Sequence, residues 1–171
     1  MDSFFAALRV GDTGHVTGVD MTPEQVEKAN ALRLESGFDQ VGFVEGRIED
    51  LPFEDASFDC IISNGVINLS PAKKTVFAEA ARVLRPGGRL AIADIVADVE
   101  LARAIVADTD LWASCIGGAA QVNKYQQAIE ASGLALESGR ENPYRFISEQ
   151  AQNACSRYGV KSVSLMARKA G

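Results

Sequence analysis

Short β-branched apolar runs alternate along this chain with longer segments of helical period, the pattern of an α/β domain on a mostly parallel sheet. His15 to Asp20 predicts the first strand. A helix follows, with Thr22 as N-cap, Pro23 at its first position, Gln25 closing a capping box and Ser36-Gly37 as its stop. Val41 to Val44 predicts a second strand, and a loop ending at Leu51-Pro52 leads to a third at Phe58 to Ser63. That run keeps only Asp59 polar among its first five residues, so it reads as a buried central strand with Cys60 in the core.

Ser70-Pro71 opens a helix whose Val76, Phe77, Ala80, Val83 and Leu84 form one stripe, and Arg85-Pro86-Gly87-Gly88 ends it in a tight turn before a strand at Leu90 to Asp94. Asp98 to about Thr109 and Tyr125 to Ser132 read as helices around the bend at Gly117-Gly118. Leu134 to Ser138 and Val160 to Ala167, separated by a helix at Ser148 to Tyr158, predict an antiparallel pair closing the sheet. Phe4, Phe5, Ala6, Leu8 and Val10 predict an apolar helix at the start.

Composition narrows the class. At 171 residues the chain fits a single domain spanning 1–171. A net charge of -6 with scattered basic residues repels phosphate backbones, so nucleic acid is not an expected partner. Asp94, Asp98, Glu100 and Arg103 interrupt the most apolar stretch well short of the roughly 20 residues that a membrane span needs. With no basic segment ahead of its first apolar residues, the chain reads as cytosolic. Cys60, Cys115 and Cys155 lie far apart, and the single histidine, His15, does not join them in a metal-ligand spacing, so no metal site is expected.

The chemistry gathers where strands end, the ligand-binding edge of an open α/β sheet. Asp20 ends the first strand, where a carboxylate can accept hydrogen bonds from both ribose hydroxyls; a surface carboxylate starting a loop is the plainer reading. The loop Glu45 to Pro52 offers the backbone N–H of Ile48 and the carboxylate of Glu49 to an adenine edge. Asn64 follows the third strand, where it can bond a cofactor or substrate or simply form an Asn-Gly turn with Gly65.

The succession GVD, GRIEDLPF, FDCIISN and RVLRPGGRL resembles the class I methyltransferases that use S-adenosylmethionine. VTGVDMTPEQ, IISNGVINLSPAKK, FAEAARVLRPGGRLAIADIV and CIGGA narrow the resemblance to the arsenite methyltransferases and their relatives, across nearly the whole chain. It implies a Rossmann-like fold, mostly parallel with an antiparallel C-terminal strand, and methyl transfer to a small-molecule acceptor. It also implies that Asp20 holds the ribose, Ile48 and Glu49 the adenine, and Asn64 the methionine end of the cofactor. No residue is assigned as a proton-transfer catalyst.

Two departures qualify it. The family's first strand and glycine-rich loop would precede the helix that begins near Met1, which implies a truncated domain, weakened hold on the cofactor's amino-acid end, and a slot through which copies could associate. The family's cysteine in SNCVINL is Gly65 here, so of the thiolates that hold arsenic only Cys115 keeps its position. Cys115 therefore stands either as a thiol ligand or as a small buried hydrophobe. A nicotinamide-dependent oxidoreductase and a noncatalytic module on the same fold are the alternative functions.

Overall fold

In the computed structural model, residues 1–171 are described, Gln150 through its backbone alone. The chain divides into two compact units, Met1–Pro52 and Phe53–Gly171.

The first unit is a helix followed by a βαβ element: α1 (Asp2–Val10), β1 (Val16–Asp20), α2 (Pro23–Ser36) and β2 (Val41–Glu45). β1 and β2 pair in parallel from Val16 opposite Val41 to Asp20 opposite Glu45, so both strands end at the same edge. The inward face of α1 is narrower than its composition predicts. Ala7 is fully buried and the Phe4 ring packs on Phe38 and Phe43, with centroids 5.2 and 5.8 Å away, whereas Phe5 and Leu8 are exposed. Residues 4 and 7 are one helical turn apart and share a face; 5 and 8 share the next one. Thr22 is the N-cap of α2 as predicted, but the capping box is absent. Asp20 Oδ1 accepts from the Thr22 N–H at 2.9 Å, taking the donor that Gln25 would have engaged.

The second unit begins with β3 (Phe58–Asn64), a 3-10 turn (Ile67–Leu69), α3 (Lys73–Val83) and β4 (Leu84–Ala97). It continues with α4 (Arg103–Val106), α5 (Thr109–Ala113), β5 (Ala120–Gln121), α6 (Val122–Ala131), β6 (Leu134–Asn142), α7 (Glu149–Tyr158) and β7 (Lys161–Lys169). The sheet order is β3-β4-β7-β6, with β5 also on β4. β3 and β5 run parallel to β4, and the predicted C-terminal pair β6 and β7 is antiparallel. The predicted stripe of α3 is buried, and Phe77, fully enclosed, meets the Tyr125 ring edge-on at 5.1 Å. Burying a side chain of that size contributes roughly 1.5–3 kcal/mol.

Three expectations fail here. β3 lies at the end of its sheet rather than in the middle, with β4 its one paired strand among the described residues, and on one of its faces Cys60 is exposed and Ile62 is 49% exposed. An apolar run cannot reveal whether both of its edges are paired. The Pro86-Gly87-Gly88 turn does not precede β4 but forms an irregularity inside it: Phe58 pairs with Leu84, and Cys60 next with Arg89. Asp98 to Thr109 is not one helix. The Asp98 and Val99 N–H groups donate to the Tyr158 carbonyl, and Asp108 caps α5 by accepting from the Asp110 and Leu111 N–H groups at 3.0 Å each. These bonds offer the backbone an alternative to helix.

Candidate functional site

In the first unit, Asp20 ends β1 as an exposed carboxylate. Its bond to the Thr22 N–H ties it to the start of α2, and its carbonyl accepts from the Gly46 N–H at 3.0 Å. The loop after β2 closes tightly, with the Asp50 N–H donating to the Arg47 carbonyl at 3.1 Å and Ile48-Glu49 at its apex. Ile48 is half-buried, and Glu49 faces Arg47 at 3.6 Å with its side chain well covered. Within this unit, the three residues read from the sequence share the carboxyl-end edge of β1 and β2.

In the second unit, Asn64 ends β3 opposite Ala93 and is exposed. The next residue, Gly65, donates its N–H to the Ala93 carbonyl at 2.8 Å and takes a left-handed φ of 70°. Cys115 comes to the same place from the loop after α5. Its thiol donates to the Gly65 carbonyl at 3.2 Å, and a Cβ built on Gly65 would stand 4.0 Å from Cys115 Sγ. The half-buried thiol also packs against the apolar cluster around Leu111 and Ile116.

Sequence reasoning missed the polar groups beneath this pair. Asp94, 3% exposed, accepts from the Ile95 N–H at 2.9 Å and from the Tyr125 hydroxyl at 3.0 Å. Burial pushes its carboxyl above the usual range. Lys73 Nζ donates to the Ser70 carbonyl at 2.9 Å and the Asn68 carbonyl at 3.4 Å, and burial pushes its ammonium down. Burial first, and then the Asp94 charge, push the Cys115 thiol up. The available signal was Asp94 itself, a carboxylate inside the otherwise apolar run Leu90 to Val96. Lys73, Lys74, Lys124 and Tyr125 line an open pocket of about 320 Å³ nearby. Among the described residues, no three His, Cys, Asp or Glu side chains group to hold a metal ion, and no helix is long and apolar enough to cross a membrane.

Parallel strands whose carboxyl ends lead into loops, closed by an antiparallel pair, make this the Rossmann-like fold of methyltransferases. The model of the methyltransferase domain matches residues 1–133, and the chain belongs to that family. Arsenite methyltransferases are similar to it. That of Halobacterium salinarum is 39% identical, with 98% of this chain and 44% of that protein covered. That of Aquipseudomonas alcaligenes is 45% identical, with 78% and 40% covered. The crystal structure of an arsenic (III) S-adenosylmethionine methyltransferase from Chlamydomonas reinhardtii matches with a TM-score of 0.79 at 32% identity, covering 99% of this chain and 60% of that one. The chain thus spans less than half the length of the two curated relatives.

Proposed function

We propose that this chain transfers a methyl group from S-adenosylmethionine to a small-molecule acceptor, as its arsenite methyltransferase relatives do by name. The observation that carries the acceptor side is the meeting of Cys115 and Gly65, which presents one thiol at the exit of β3. A thiol suits a soft trivalent centre. On the cofactor side, Asp20 has its Oδ1 on the Thr22 N–H, which orients the carboxylate to receive ribose hydroxyls. Ile48 and Glu49, at the apex of their loop, supply a backbone donor and a carboxylate for the adenine, and Asn64 an amide for the methionine end.

S-adenosylmethionine, when bound, supplies an electrophilic sulfonium methyl. The protein's share is alignment and exclusion of water, which need no acid–base pair. Cys115 orients the acceptor, and Asp20 fixes the ribose.

Calorimetric titration tests the cofactor side: Asp20→Ala weakens S-adenosylmethionine binding by about tenfold or more, as loss of a charge-assisted pair requires. Equal affinities in variant and parent would remove Asp20 from the site. A chain that binds S-adenosylmethionine but transfers no methyl to trivalent arsenic would overturn trivalent arsenic as the acceptor, and one that transfers to no acceptor would be a binding module on this fold.

A further inference from the structure

Asn68, Ser70 and Asp94 are the buried polar residues among those described, at 0%, 3% and 3% exposure. Asn68 connects most of what surrounds the Gly65–Cys115 contact. It lies on the 3-10 turn just after the exit of β3. Its Nδ2 donates to the Ile95 carbonyl at 2.5 Å and the Cys115 carbonyl at 3.4 Å. Because both neighbours are acceptors, the amide nitrogen must face them. Its backbone carbonyl accepts from Lys73 Nζ at 3.4 Å. That same carbonyl lies so close to Gly118 that a Cβ there would stand 1.9 Å away, so the loop carrying Cys115 can rest on Asn68 only with glycine at 118.

We propose that Asn68, anchored on the Ile95 carbonyl of β4, is a positioning residue that holds Cys115 turned toward Gly65 and so shapes the acceptor end of the site. The inference rests on the reading of Cys115 as the acceptor-facing thiol. Cys115 has a φ of 63°, which a residue with a Cβ rarely adopts. Two bonds offset that cost: the one from Asn68 to the Cys115 carbonyl and the one from the thiol to the Gly65 carbonyl. Without the amide, the carbonyl loses its donor and the turn is free to relax toward the right-handed region, carrying Sγ away from Gly65. The titratable groups facing this arrangement are Asp94 from β4, Lys73 from α3 and Tyr125 from α6. Asp94's charge favours the neutral thiol, the form that donates to Gly65.

Carboxamidomethylation of the full chain with iodoacetamide, followed by peptide mass spectrometry, reads Cys60, Cys115 and Cys155 separately as a function of pH. Asn68→Ala raises the Cys115 rate at least about fivefold at fixed pH by loosening its turn, leaving the other two cysteines unchanged. Asn68→Leu, similar in size but without a donor for the two carbonyls, does the same. Asp94→Asn removes a negative charge, so Cys115 becomes half-reactive at a lower pH than in the parent. Cys115 kinetics unmoved in all three variants would overturn the proposal, as would an equal rise at all three cysteines. Methyl transfer by Cys115→Ser separates the two readings: undiminished transfer refutes Cys115 as the acceptor contact while leaving the alkylation pattern to decide the role of Asn68.

Discussion

Gly65 and Cys115 both sit at positive φ, on loops that meet only through folding, and each constrains what the other can do. A cysteine at 65 would place a second sulfur beside Cys115, and two thiolates hold trivalent arsenic better than one. Its backbone would pay about 1–2 kcal/mol for a left-handed conformation with a Cβ. Gly65→Cys is therefore expected to be less stable than its parent yet bind trivalent arsenic about tenfold more tightly, measured by competition with a dithiol chelator. Equal affinities would show that position 65 is no ligand site. Asp94 makes a separate prediction. Its carboxyl is raised from 3.8 chiefly by burial, so above pH 3.8 the folded chain holds the proton more tightly than the unfolded one. Stability from this group is full below 3.8 and is lost as pH rises through the folded value. Urea midpoints taken between about pH 4 and 8 should drift in favour of Asp94→Asn over wild type as pH rises; a constant gap would contradict the shift. Of the candidate site, Asp20, Ile48, Glu49, Asn64 and Cys115 were legible as positions after strands or by resemblance. Asn68 and Asp94 were not, because burial and partners belong to the fold rather than to residue type.

At the scale of elements, start and stop signals proved readable where the side chain had no rival. Ser148, where the sequence began its helix, caps α7 from just ahead of it, accepting from the Ala151 N–H at 3.2 Å. Thr22 holds the same place ahead of α2 without a side-chain bond. Ser148→Ala is accordingly expected to cost about 1 kcal/mol, and Thr22→Ala less than about 0.5 kcal/mol, in chemical denaturation. Equal losses would mean that Thr22 caps in solution. The stretch after β4 went the other way. Its helical period was genuine, but Asp108 and the Tyr158 carbonyl compete for the backbone donors and leave two short helices.

For the whole molecule, the strands form two sheets of unequal reach, two strands within Met1–Pro52 and five within Phe53–Gly171. A two-stranded sheet is marginal by itself, whereas β4 carries partners along both edges. Amide hydrogen exchange should thus protect β4 and β7 most and β1 and β2 least, and uniform protection across all four strands would refute that ranking. The sequence by itself determined the α/β class, most of the order of strands and helices, the antiparallel close and the methyltransferase resemblance, since periodicity, caps and turn residues act over a few neighbouring positions. Only the tertiary structure decided that β3 lies at a sheet edge with Cys60 exposed, and that Pro86-Gly87-Gly88 bulges within β4. It alone brought Cys115 against Gly65, fifty residues apart in the chain. Strand pairing and burial are set by which distant segments meet, and hydrogen-bond partners far along the chain leave no mark on local pattern.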